Sequence, residues 1–185
     1  IYPTSVTTTS DKDIEEVFTV IEKWFTDGKY VPYSYQELEE VLRYAKNLVP
    51  NHIRISRIFR DIPVANIIGG ADIPHMRQKV QKLMAVNDEY CKCIKCREIR
   101  SREIDVSRIR YDVEHYKAQE GIEYFITANY PPSDTELDAM DKAEQLRMTH
   151  LGSYLIGFCR LRIQGTDSSL DYLPVLKGAA IIREL

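Results

Sequence analysis

Residues 91–104 read CKCIKCREIRSREI: three cysteines in six positions, with arginines directly behind them. The residues before this stretch read as helix and strand in alternation, and those after it read mainly as strand, so its reading decides where one architecture gives way to another. Lys92 and Lys95 lie between Cys91, Cys93 and Cys96, and their ammonium groups require water, so the thiols are not ordinary core residues. Thiols beside lysines ionise readily, and a thiolate is what a metal ion requires. Zinc fits best, because it takes soft ligands in a tetrahedron and staples short irregular loops. A redox-active thiol pair, an iron–sulfur cluster and unligated cysteine are the alternatives. The redox reading lacks a strong helix signal after Ile94-Lys95.

Three cysteines leave one coordination position open. The candidates are His52, His75, His115, His150, Cys159 and a group outside this chain, with His75 favoured because it lies sixteen residues upstream on the helix that leads into the cluster. Cys159 lies inside an apolar strand and reads as a small core residue.

Working upstream, IYPTSVTTT (1–9) is rich in β-branched residues and reads as a short strand. Ser10 opens a helix whose apolar positions Ile14, Val17, Phe18, Ile21, Trp24 and Phe25 recur at helical spacing, closing at Gly28. Ser34 and Glu37 form a capping box for a second helix that Pro50 ends. HIRISRIF (52–59) sets Ile53, Ile55 and Ile58 against Arg54 and Arg57 and reads as a strand closed by RDIP (60–63). IPHMRQKVQKLMAV (73–86) reads as a further helix.

Working downstream, SRIRYDVEHYKA (107–118) and IEYFITANY (122–130) alternate and face one another across a glycine-containing turn, the signature of a hairpin. PPSDTELDAMDKAEQLRMTH (131–150) is acidic and shows no apolar face wide enough to dock, which predicts an exposed loop or loose helix. With no apolar pocket to shift their pKa values, its carboxylates are not expected to do acid–base work. SYLIGFCRLRI (153–163) and LKGAAIIREL (176–185) are two more strands. The fold class is α/β, with a boundary near residue 105.

The 185 residues are 44% hydrophobic, enough to bury a core, and the net charge of −3 conceals a division. Residues 51–110 carry 13 Lys/Arg against 7 Asp/Glu, so a basic block lies inside an acidic chain. Its cations Arg54, Arg57, Arg60, Lys92, Lys95, Arg97, Arg100 and Arg102 cluster around the cysteine loop and suit an anion, nucleic-acid phosphate above all. Alternatively, Arg57, Arg60 and Arg97 could pair with Asp61 and Glu98. No apolar run is long enough to span a membrane. Four cysteines, three of them within six positions, are too few and too clustered for a secreted disulfide scaffold, so reduced, cytoplasmic chemistry is expected. Phosphate-loop, dinucleotide and nucleophile-elbow motifs are all missing. The chain begins with Ile and ends on an apolar run, which gives the expectation of a piece of a longer protein.

The ordered set IYPT, GKYVPYS, VPNHIRISRIFRDIP, HMRQ, CKCIKCREI, YLIGFCRLRI and LKGAAIIREL resembles the catalytic subunit of Elongator and its bacterial and archaeal relatives. The resemblance covers nearly the whole chain, and its most specific parts are Arg60-Asp61-Ile62-Pro63, the cysteines leading into Arg97-Glu98, and Arg183-Glu184-Leu185. It implies that residues 1–85 end a radical-SAM partial barrel, that 86–105 form a zinc-binding linker, and that 106–185 begin a GNAT acetyltransferase fold. It also implies the activity: acetyl-CoA and a radical derived from S-adenosylmethionine carboxymethylate the wobble uridine of tRNA. Cys91, Cys93 and Cys96 match the family's zinc cysteines. The 4Fe-4S cysteines and the coenzyme pyrophosphate loop have no counterpart in the sequence, so this chain alone is expected to be inactive, with its catalytic residues elsewhere. The implied partners are tRNA and other Elongator-type subunits, with neither membrane nor DNA. Two other readings stay open, a zinc-dependent RNA-binding module without enzymatic activity and a plain GNAT protein acetyltransferase. TTTSDKDIEE (7–16) and His75 depart from the family pattern, and the acidic stretch is longer than expected.

Overall fold

The computed structural model describes residues 5–7, 19–58, 62, 64–70, 75–165, 174–176 and 179–185. It divides into two compact units, Ile1–Cys93 and Ile94–Leu185. The division falls inside the cysteine segment, upstream of the change of pattern that the sequence places near residue 105.

In the first unit, Thr19 caps helix α1 (Val20–Thr26), its hydroxyl accepting from the Glu22 N–H at 3.3 Å. Ser10, expected to open this helix, lies outside the described residues, as do 11–18. Helix α2 (Tyr35–Leu48) starts with the expected capping box between Ser34 and Glu37. A two-stranded antiparallel sheet joins β1 (Val6–Thr7) to β2 (Ile67–Gly69). The Phe25 ring packs closely over Gly69, where a Cβ would stand 2.6 Å from it and force the ring to shift. Helix α3 (Met76–Val86) completes the unit and buries Met76, Val80 and Met84.

HIRISRIF is not a strand over its described residues 52–58. Its buried residues are Ile55 and Ile58, at 7% and 3% exposure, whereas Ile53 is 41% exposed, a spacing of three rather than the two that a strand needs. The Ile55 carbonyl accepts from the Arg77 guanidinium at 2.5 Å instead of from a neighbouring strand. Phe59, Arg60, Asp61 and Pro63 lie outside the described residues.

The second unit opens with α4 (Ile94–Arg97), a single helical turn. Strands β3 (Arg110–Ala118) and β4 (Gly121–Tyr130) form the expected hairpin, in unbroken register from Arg110↔Asn129 to Ala118↔Gly121. With β5 (Tyr154–Gln164) and β6 (Ala180–Glu184) they make an antiparallel sheet in the order β3-β4-β5-β6. Ile94 packs with Phe125 and Leu155 in one apolar cluster of this unit. Cys159 is only partly buried on β5, opposite Ile126, and so is not the enclosed core residue that the apolar strand suggests.

The acidic stretch does dock. It folds into α5 (Asp134–Asp138), with a capping box between Ser133 and Glu136, and α6 (Lys142–Leu151), capped by Asp141. Met148, 1% exposed, forms a core with Tyr130 and Tyr154, and Leu137 and Met140 pack against it. The stretch reads as faceless because these apolar residues are divided between two short helices and the link that joins them, Leu137 on α5, Met140 between and Met148 on α6, which breaks the 3.6-residue period. No described helix is long and apolar enough to cross a membrane.

Candidate metal centre

Cys91, Cys93 and Cys96 are buried, at 5%, 0% and 9% exposure, and form no disulfide. One potential ligand atom from each brings the three within 4.8 Å of one another. Thiolates placed tetrahedrally at about 2.3 Å from zinc stand roughly 3.8 Å apart, so the set fits three corners of such a site. The local fold explains the gathering. The chain turns into α4 at Ile94, and that turn carries Cys96 on the buried side with Ile94 while Lys95 and Arg97 point outward in part. After the turn, the Ile99 N–H donates to the Leu155 carbonyl at 3.0 Å, and Glu98 bridges Leu155 in parallel.

Among the described residues no histidine or carboxylate joins the three thiols. His75 is exposed at the start of α3, where it takes a left-handed conformation with φ of 60°. His115 on β3 faces Tyr124, ring centroids 6.0 Å apart, and His150 is exposed near the end of α6.

Of the cations that the sequence singles out, Arg54, Arg57, Lys92, Arg100 and Arg102 are exposed, and Lys95 and Arg97 are half-buried. Arg60 lies outside the described residues. Arg102 is committed to the fold in part, pairing with Glu144 at 2.8 Å and lying 4.8 Å above the Tyr154 ring. Arg100 takes a left-handed conformation with φ of 59°.

Beside the segment after α4 the structure holds a cleft of about 460 Å³, lined in part by Arg102, Tyr130, Glu136, Met140, Glu144 and Tyr154. Its carboxylates do have shifted pKa values, contrary to the sequence reading, because the docked helices bring hydrogen-bond donors to them. Hydrogen bonds from Ser133 and the Tyr130 hydroxyl hold Glu136 down at about 2. The Arg147 guanidinium, assisted by the Tyr154 hydroxyl, outweighs burial and holds Glu144 at about 2. Burial and the hydrogen bond to Glu144 push the Tyr154 hydroxyl up to about 12. These shifts keep both carboxylates ionised, which suits ion pairing rather than proton transfer at neutral pH.

Sequence reasoning missed Glu144, Arg147 and Tyr154. The Glu144–Arg147 spacing of three on a helix was the available signal. Arg147 also donates to the Cys96 carbonyl at 2.6 Å, a contact between residues far apart in the chain that no spacing rule could show.

Residues 17–86 match the Radical_SAM C-terminal domain. The chain is a homologue of tRNA uridine(34) acetyltransferases and of Elongator complex protein 3. It is 36% identical to the tRNA uridine(34) acetyltransferase of Methanocaldococcus jannaschii over 106 residues, 54% of this chain and 20% of that one. It is 30% identical to the Elongator complex protein 3 of Danio rerio over 168 residues, 89% of this chain and 27% of the relative. The solved structure of archaeal Methanocaldococcus infernus Elp3 with an N-terminus deletion (1-46) superposes with a TM-score of 0.65 at 28% identity, over 89% of this chain and 33% of that one. The chain thus spans between a fifth and a third of the lengths of these relatives. Its mixed α/β fold with two sheets is Elp3-like.

Proposed function

We propose that the chain is part of a tRNA-modifying enzyme that uses acetyl-CoA and a radical derived from S-adenosylmethionine to carboxymethylate the wobble uridine. In this reading residues 1–85 end the radical-SAM domain, 86–105 form a zinc-binding linker and 106–185 begin a GNAT acetyltransferase domain. Cys91, Cys93 and Cys96 hold zinc. Arg54, Arg57, Arg60, Lys92, Lys95, Arg97, Arg100 and Arg102 meet the tRNA backbone. The 4Fe-4S cluster, S-adenosylmethionine and acetyl-CoA belong to the parent enzyme, as do other Elongator-type subunits and a cytoplasmic location.

The observation that carries this reading is the buried three-thiol cluster, with lysines and arginines between and directly after the thiols in sequence, in a chain that aligns over 89% of its length with Elongator complex protein 3. Zinc held by three thiolates and one further ligand has no open position for a reacting water, so its contribution is to hold the loop. Of the cations around it, Lys92, Arg100 and Arg102 are exposed and Lys95 and Arg97 are half-buried, which supports contact with a polyanion. Phosphate contacts of this kind position the RNA without reading its bases.

The test is the affinity of the chain for tRNA across a salt series, before and after removal of zinc by a chelator. The expected result is tight binding that weakens steeply with salt and is lost with the metal. Binding no stronger than that of an acidic control protein would remove tRNA from the role of these cations.

A further inference from the structure

The guanidinium of Arg147 on α6 spans two groups that the sequence gives no reason to join. Its Nη1 donates to the Cys96 carbonyl at 2.6 Å, while its Nε and Nη2 donate to the two Glu144 oxygens, each at 2.7 Å. Glu144 is itself fixed, since its Oε1 accepts from the Tyr154 hydroxyl at 2.6 Å and from Arg102 at 2.8 Å. Both side chains are largely enclosed, Arg147 at 24% and Glu144 at 18% exposure.

Cys96 sits near the end of a four-residue helix, too short for its carbonyl to meet an N–H four residues further along. Arg147 donates to that carbonyl from the side and so fixes the peptide from which the third thiol projects. A forked guanidinium held on one side by a carboxylate has little freedom to swing, which makes it a rigid support. Its charge also has the right sign, because three thiolates around a divalent ion leave an excess negative charge.

We propose that Arg147 is a positioning residue of the metal centre, holding the Cys96 peptide so that its thiolate meets the ion, with Glu144 holding Arg147. This rests on the reading that Cys91, Cys93 and Cys96 bind zinc. Groups that orient metal ligands from outside the coordination sphere typically contribute about 10–100-fold in metal affinity.

The experiment titrates the metal-free, reduced chain with Co²⁺, following the visible bands of tetrahedral thiolate coordination, and then measures Zn²⁺ affinity against a chromophoric chelator. Arg147→Met is expected to bind Zn²⁺ roughly 10–100-fold more weakly than the wild type and to alter the Co²⁺ bands. Arg147→Lys keeps the charge and the apolar stem but loses the fork, and should fall between the two. Arg102→Met removes the other arginine from Glu144 without touching Cys96, and should stay within about threefold of the wild type, below the roughly 10–100-fold that supporting groups contribute. Circular dichroism identifies variants that keep the sheet, and if Arg147→Met does not, Arg147→Lys decides alone. Wild-type affinity and unchanged Co²⁺ bands in the folded Arg147 variants would overturn this proposal and leave the zinc reading standing. A wild-type chain that takes up neither ion would overturn both.

Discussion

Glu123 on β4 stands directly across the ladder from Arg162 on β5, and the two form an ion pair at 3.4 Å with the carboxylate only 2% exposed. The same carboxylate accepts from the Tyr116 hydroxyl of β3 at 2.9 Å and from Arg183 of β6. One buried acid therefore ties all four strands together. Burial pushes its pKa up, but the bonds from Tyr116 and Arg183 outweigh this and leave it below the ordinary carboxylate value.

Glu123→Ala should accordingly be among the most damaging single changes in the sheet. It leaves Arg162, whose side chain is 12% exposed, without its partner. Breaking a buried pair from one side costs about 3–5 kcal/mol. Urea denaturation of the chain measures this, and a loss below roughly 0.5 kcal/mol, the level of an ordinary surface change, would mean that the four-strand tie contributes nothing.

Acid should loosen the α5–α6 region before neutral pH does. Glu144 is ionised down to about 2 in the fold, against 4.5 as its ordinary value. Because the folded pKa is the lower one, the stabilisation is complete above pH 4.5 and fades as pH falls toward 2. At about 1.4 kcal/mol per unit, the shift corresponds to roughly 3 kcal/mol for this largely enclosed group. The urea midpoint followed through that window should decline, and Glu144→Gln should flatten the decline. Tyr154 acts at the other end: its pKa is raised from 10.0 to about 12, so its contribution is present below pH 10 and is lost as pH rises toward 12.

Met148→Ala tests whether the acidic stretch belongs to the core. The side chain is 1% exposed among Tyr130 and Tyr154, and deleting such a side chain costs about 2–5 kcal/mol. Thermal unfolding of the chain reads the effect directly. A midpoint within a degree or so of the wild type, where about 1 kcal/mol shifts it by roughly 2–4 °C, would return residues 131–151 to the status of a loose surface segment.

The RNA reading separates two arginines that the sequence treats alike. Arg100 is exposed, so Arg100→Gln should reduce the slope of log affinity against log salt by about 1. Arg102 is already paired with Glu144 and stacked on Tyr154, so Arg102→Gln should change the slope by less. Equal effects would show that Arg102 leaves Glu144 when RNA binds.

The range of each interaction decides how legible it is in the sequence. The capping box at Ser34, the hairpin β3–β4 and the cysteine cluster depend on near neighbours, and residue type at fixed spacing reveals them. The segment 52–58 misled because three isoleucines at mixed spacing imitate a strand, while its carbonyl at Ile55 is taken up by Arg77 from a helix further along. Arg147 was invisible for a related reason. Its helix carries its apolar contacts through Met148 alone among its fully buried side chains, so nothing in the pattern says which way the guanidinium points.

The strand order β3-β4-β5-β6 is also the order in which a ribosome delivers the strands. Each new strand meets an edge made just before it, so no pairing has to wait for a partner synthesised later. Short sequence separation keeps the entropy of closing each connection small and favours fast assembly. Glu123 then enters this sequence twice: with the second strand it meets Tyr116, and only with the third and fourth does it gain Arg162 and Arg183. During synthesis the sheet therefore passes through a stage in which its central acid is only partly compensated, and the arrival of the later strands locks the earlier ones.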